Sequence, residues 1–191
     1  GAEMIVGGCR ARECEMGVLI ADAMLESVKS QGVQIAIQNG GGIRASLDTG
    51  EVTMGEILTI LPFQNTLSTF RVSGATLLAA LENGVSQVEE GAGRFPQVAG
   101  LTYAFDPVGT VGKRVSDVRV LHSGRAVPLD PVKLYSVVSN NYLRNGGDGY
   151  KMFKTAQDVY DFGPDLADIV AEYMAAHAPY QPYLAGRIIE K

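Results

Sequence analysis

Cysteine and histidine are scarce in this chain of 191 residues: it has only Cys9, Cys14, His122 and His177. Zinc constellations draw on more ligands than that, set at closer spacing, so no metal site is expected within it. Basic residues are also too few to favour a phosphate backbone. Sixteen Lys and Arg stand against twenty-one Asp and Glu, a formal charge of −5, and a nucleic-acid polymer is not the expected partner. No stretch reaches the roughly eighteen uninterrupted apolar residues of a membrane span. Met16 to Met24, the best candidate, is short and carries Asp22. The N-terminal Gly1 to Ile5 has neither a basic region nor a long apolar one, which argues neither for nor against secretion. Internal repeats, low-complexity tracts and linkers are missing too.

What is there describes an ordinary globular chain. The hydrophobic fraction is 46% and the charged fraction 19%, which excludes intrinsic disorder. The length fits one domain, residues 1–191, and is too short for two full enzyme domains. Met16 to Lys29 places apolar residues at helical spacing, with Gly32 as a stop. Val33 to Gln38 alternates as a strand and runs into Asn39-Gly40-Gly41-Gly42. Thr53 and Glu56 form a capping box that opens a short helix to about Leu61, ended by Pro62. Thr66 to Val72 reads as a strand, Ser73 caps a helix over Gly74 to Val85, and Glu89 to Arg94 is a glycine-rich loop. Further strands fit Val98 to Phe105, Val115 to Leu121 and Leu134 to Ser139, with a tight hairpin at Ser123-Gly124-Arg125. Leu166 to Ala176 is helical, and a last strand lies near Arg187 to Ile189. Helices and strands mix without regular alternation, so the fold class is α+β.

Two loops carry candidate chemistry. In Asn39-Gly40-Gly41-Gly42-Ile43-Arg44, glycines after a strand allow close backbone approach, with an amide at one end and a guanidinium at the other. That suits an anionic or polar ligand, and a plain turn is the competing reading. It is neither a dinucleotide fingerprint nor a P-loop. In Asn145-Gly146-Gly147-Asp148-Gly149-Tyr150, a lone carboxylate sits among residues that tolerate unusual dihedrals. It could accept from sugar hydroxyls, while an Asx-turn is the commoner use of Asp-Gly. Phe63 and Tyr142 flank loops; each alone reads as core, and as a pair they could sandwich a base, worth roughly 1 to 3 kcal/mol per stacked face. Cys9 and Cys14 could close a small loop, adding roughly 2 kcal/mol, or remain free thiols. Arg10 and Arg12 between them are anion ligands or solvated surface.

Taken in order, Asn39-Gly-Gly-Gly-Ile-Arg44, Leu61-Pro62-Phe63, Phe95-Pro96-Gln97-Val98-Ala99-Gly100 and Asn141-Tyr-Leu-Arg-Asn-Gly-Gly-Asp148-Gly-Tyr150 resemble the C-terminal substrate-binding domain of the 5'-nucleotidase family. The resemblance runs from Cys9 to the last strand. It implies a four-layer αββα unit that follows an N-terminal metallophosphoesterase domain. It assigns Phe63 and Tyr142 to the nucleobase clamp, where the second position is often Phe. Asp148 falls on the ribose hydroxyls, Arg10 and Arg44 on phosphate and ribose, and Asn39 near the base, with Gly41 and Gly42 in the same substrate loop. Cys9 and Cys14 resemble the disulfide of animal relatives, and Glu15 stands where those often have Asn.

The family's metal motifs, DxH, GDxxD and GHxH, do not occur here. The resemblance therefore implies a recognition domain without catalytic residues or cofactors of its own, inactive in isolation. Two divalent ions belong to the N-terminal domain, which is its partner beside a nucleotide or nucleoside. Hydrolysis of nucleoside 5'-monophosphates in a periplasmic or extracellular setting is the implied activity. A 2',3'-cyclic phosphodiesterase, a UDP-sugar hydrolase, an NAD-cleaving relative and a non-catalytic binding or assembly module are the alternatives. If the cysteines are paired, alkylation of the native chain leaves its mass unchanged and labels two sites only after reduction. Two labels before reduction would mean free thiols and argue against an oxidising compartment.

Overall fold

The computed structural model describes residues 8–191; the reading of Gly1 to Ile5 lies outside them. Helices α1 (Glu15–Ser27), α2 (Met54–Ile60), α3 (Gly74–Val85), α4 (Asn141–Arg144) and α5 (Leu166–Ala176) accompany two sheets. The larger sheet has the order β3 (Pro96–Ala99), β1 (Ile35–Asn39), β7 (Leu134–Asn140), β2 (Leu67–Ser73) and β8 (Gln157–Tyr160). The smaller has β6 (Arg125–Pro128), β5 (Val115–His122), β4 (Leu101–Phe105) and β9 (Ile188–Glu190). The α+β class expected from the sequence is the one observed.

The period of two along each strand divides the core. On one face of the larger sheet Ala36, Ala99, Val138 and Leu67 meet α1, α2 and α5. On the other, Ile35, Ile37, Phe70, Val72, Val98 and Val137 meet α3 and the inner residues of the smaller sheet, Leu101, Tyr103, Phe105 and Val120. Helix α3 touches strands of both sheets. Alanines where α1 crosses the sheet let the helix approach closely, and α1 is buried along most of its length. Its start is capped by Cys14, whose sulfur accepts from the Gly17 N–H. The Thr53–Glu56 capping box and the Ser73 cap form as expected.

One expectation is corrected. Val98 to Phe105 is not a single strand: Gly100, at φ 73°, breaks it, and the two halves belong to different sheets. A Cβ at Gly100 would lie 2.0 Å from the Gln34 carbonyl oxygen, so the chain can cross between sheets only without one. The sequence reading also passed over β8, a short edge strand of largely exposed residues.

Residues after Thr155 complete both sheets, with β8 at the edge of the larger and β9 at the edge of the smaller. Helix α5 packs on α1, β9 pairs in parallel with β4, and the Glu13 carboxylate accepts from the backbone N–H groups of Gly186 and Arg187. Arg187 also pairs with Asp22 at 2.7 Å.

A second polar clamp fastens α3 to β5. Arg114, 6% exposed, donates to the carbonyls of Val85 and Gly109 and, through both terminal nitrogens, to Glu89 at 2.7 and 2.9 Å. The Glu82 carboxylate accepts from the N–H groups of Arg114 and Val115. Hydrogen bonding from Arg114 lowers the Glu89 carboxyl to about 2 from 4.5. A depressed carboxylate pKa stabilises the fold above the unfolded value, and this contribution fades as pH falls from about 4.5 towards 2. Arg114→Ala, which strands buried carbonyls, is expected to lower the melting temperature by roughly 4 to 8 °C at neutral pH. It should also flatten the acid limb in thermal melts recorded from pH 7 to 2.5.

Candidate ligand-binding site

Topology gathers the site at one end of the larger sheet. β1 and β7 are parallel neighbours, so Asn39 and Asn140 end their strands side by side. β2 and β3 run antiparallel to them, with Leu67 opposite Asn140 and Pro96 opposite Asn39. The loops carrying Phe63 and Asn65, Gly93, and Tyr142 to Asp148 therefore open on the same edge as Asn39 to Arg44. The carboxyl ends of adjacent parallel strands are where open sheets build ligand crevices.

Buried amides hold that edge. The Asn140 side-chain amide donates to Gln38 Oε1 at 2.9 Å and Asn39 Oδ1 at 3.0 Å, while its oxygen accepts the Leu143 N–H and caps α4. Asn39 in turn donates to Asp148 Oδ2 at 2.8 Å. The other carboxylate oxygen, Oδ1, accepts from the Tyr142 hydroxyl at 3.0 Å, and that hydroxyl accepts from the Asp148 N–H. Asn83 donates to the Asp148 carbonyl and accepts from Arg94. Asp148 itself sits at φ 52°, ψ 29°, between Gly146 at φ 91° and Gly149 at φ 79°. The Tyr142 phenol is pushed up from its ordinary value by burial, and further by the hydrogen bond to Asp148. It stays protonated and remains a donor.

The resulting cavity, about 490 Å³, is lined by Arg10, Asn39, Gly41, Gly42, Arg44, Phe63, Asn65, Gly93, Tyr142 and Asp148. Every substrate-site residue singled out from the sequence is on that wall. Phe63 and Tyr142 present half-exposed rings, 56% and 47% accessible. The Arg44 guanidinium lies 6.0 Å from the Phe63 ring centroid and donates to the Gly41 carbonyl at 3.5 Å. Arg10 reaches the Gly91 carbonyl at 3.3 Å. Neither arginine has a carboxylate partner among the described residues. Two unneutralised cations on the wall of one cavity make it attractive to an anion.

The Cys9–Cys14 disulfide is present, and buried Gln97 organises the loop it closes. Its amide donates to the carbonyls of Cys9 and Arg12 and accepts from the Cys14 N–H. Arg10 is thus placed by a strand residue as well as by the disulfide. Sequence reasoning missed Asn65 and Gly93. Asn65 lies two residues beyond Phe63, and Gly93 falls in the glycine-rich loop already read at Glu89 to Arg94, so both were within reach. Arg12, weighed with Arg10, is not on the cavity wall. No group of three or more His, Cys, Asp or Glu able to hold a metal occurs among the described residues. His122 is exposed on β5 and His177 pairs with Glu26. The residues here do not fit a dimetal centre. Among the described residues no helix is long and apolar enough to cross a membrane.

Fold and cavity together define an α+β domain with a polar, cation-bearing crevice at the carboxyl ends of its central strands. The model of the family "5'-nucleotidase, C-terminal domain" matches residues 2–155, and the chain belongs to that family. It is 41% identical over 184 residues to the trifunctional nucleotide phosphoesterase protein YfkN of Bacillus subtilis (strain 168), covering 95% of this chain and 13% of that protein. It is 35% identical over 194 residues to human 5'-nucleotidase, covering 94% of this chain and 34% of the other. Among solved structures, the 5'-nucleotidase precursor of Thermus thermophilus superposes with a TM-score of 0.96 at 44% identity, over 99% of this chain and 38% of that one. Haemophilus influenzae NAD nucleotidase gives 0.87 at 28%, over 100% of this chain and 37% of its own. The chain spans only about a third, or less, of the curated relatives named here.

Glycine is required where two loops touch. A Cβ on Gly41 would lie 2.6 Å from the Gly93 Cα, with backbone on both sides and no side chain to yield. Gly41→Ala is expected to cost roughly 1 to 3 kcal/mol in denaturant unfolding. Gly55→Ala in α2, whose Cβ would meet nothing closer than 3.8 Å, should be neutral or slightly stabilising.

Proposed function

We propose that this chain is the substrate-recognition domain of a 5'-nucleotidase-type hydrolase acting on nucleoside 5'-monophosphates. The observation that carries this is the composition of one cavity wall: half-exposed aromatic rings, one carboxylate held by neutral donors, and two arginines without acidic partners among the described residues. Phe63 and Tyr142 stack the base, Asp148 accepts from the ribose hydroxyls, and Arg10 and Arg44 draw the phosphate. Asn39 acts beside the base end by holding Asp148, and Gly41 and Gly42 keep the wall low. Family membership and the names of the similar proteins support the same reading.

Hydrolysis itself needs groups that the described residues lack. The phosphate would be cut in an N-terminal metallophosphoesterase domain carrying two divalent ions, with this domain presenting the nucleotide to it. The chain alone is then inactive. A secreted or periplasmic location suits the disulfide, and a snake venom 5'-nucleotidase is among the similar proteins. A second reading, an NAD-cleaving or broader phosphoesterase on the same scaffold, is favoured by the likeness to NAD nucleotidase and to a trifunctional phosphoesterase.

Calorimetric titration with adenosine, AMP, uridine and inorganic phosphate, beside a phosphatase assay with added divalent metal, tests the reading. Nucleoside binding without phosphate release is expected. Phe63→Ala should weaken adenosine binding by roughly 1 to 3 kcal/mol; unchanged affinity would remove Phe63 from the clamp. Phosphate release by this chain would overturn the assignment of catalysis to another domain.

A further inference from the structure

We propose that the Tyr142 hydroxyl is a specificity-determining group: it locks the Asp148 carboxylate so that each oxygen keeps a free acceptor position for one hydroxyl of a vicinal diol, and the site thereby selects ribosides over 2'-deoxyribosides. The proposal rests on the nucleoside reading of this cavity.

An ionised carboxylate offers about four acceptor positions, two on each oxygen. In Asp148 one position on Oδ2 is taken by the Asn39 amide and one on Oδ1 by the Tyr142 hydroxyl. Among the described residues the internal donors are thus shared evenly between the two oxygens, which is the arrangement a pair of adjacent O–H donors can complete. The carboxylate is also held against rotation. The hydroxyl that donates to Oδ1 accepts from the N–H of the same residue, and Asn83 holds its carbonyl. Gly147 supports the ring itself: a Cβ there would lie 2.4 Å from Tyr142 Cε2, so the phenol lies against bare backbone. A phenylalanine at 142 would keep that ring and its stacking face. It would lose the donor on Oδ1 and the acceptor for the Asp148 N–H.

A ligand without the 2'-hydroxyl leaves one fixed acceptor position of Asp148 without its ligand donor, and the loss is larger the less the carboxylate can turn away. Tyr142 acts here through Asp148, so it is a positioning residue in this respect, separate from the stacking contributed by its ring.

The test is calorimetric titration of the 191-residue chain, wild type and Tyr142→Phe, with adenosine and 2'-deoxyadenosine. The wild type is expected to prefer adenosine by roughly tenfold or more, with Tyr142→Phe reducing the preference to roughly twofold while 2'-deoxyadenosine affinity changes little. Asp148→Asn, which substitutes an amide for one acceptor oxygen, should also erase the preference. An equal loss for both ligands, or an unchanged ratio, would overturn the role of the hydroxyl and leave the nucleoside reading standing. Equal affinity of the wild type for the two ligands would do the same. Failure of the wild type to bind either nucleoside would overturn the nucleoside reading and this proposal with it.

Discussion

The parallel pairing of β1 with β7, sealed at its carboxyl end by the Asn140 amide, is the constraint on which the site depends. Two strand ends that exchange side-chain hydrogen bonds inside the protein cannot slide or splay without stranding buried amides, which is costly in a medium of low polarity. From this join the first loop leads through Gly40 to Arg44 and the second through α4 to Asp148. Asn39 then reaches across from the first loop to the carboxylate of the second. The two halves of the crevice share one hydrogen-bonded frame.

Electrostatics divides that frame into unlike parts. Among the described residues Asp148 accepts from neutral donors, an amide and a phenol, and forms no ion pair, so it keeps acceptor capacity. Among the described residues Arg10 and Arg44 donate to carbonyl oxygens and pair with no carboxylate. A ligand bearing hydroxyls at one end and an anion at the other would satisfy both parts; a purely apolar ligand would satisfy neither. The clamp between Arg114 and Glu89 belongs to this picture indirectly. It anchors the turn that leads to Gly91 and Gly93, and so sets the wall that Arg10 touches and that Gly41 packs against.

Much of this was legible in the residues. Regular periodicity marked α1, α3 and α5, capping chemistry marked the starts of α2 and α3, and the glycine-rich loops marked the crevice before any strand order was known. The pairing of loops distant in sequence was not legible, because it follows from strand order and direction, which no local pattern encodes. Gln38, Gln97 and Asn140 show the limit. A polar side chain in or beside a strand carries no local sign of burial, yet all three are buried and bond to one another's strand ends or to the loops. The break at Gly100 was hidden similarly, since the residues on either side are apolar and strand-like, and only the close approach of the Gln34 carbonyl explains why the sheet must change there.

The segment beyond Thr155 has a consequence for the boundaries of the domain as an evolutionary and a physical unit. The family pattern ends at residue 155, but the packing does not. Helix α5 covers α1, β9 forms the edge of the smaller sheet, and Glu13, one residue before Cys14, is held by the backbone of residues 186 and 187. A polypeptide cut where the recognisable pattern stops would bare the apolar flank of α1 and release Glu13 from its anchor. The arginine loop, although remote from the carboxyl terminus in sequence, is thus tied to it at Glu13 as well as to Gln97.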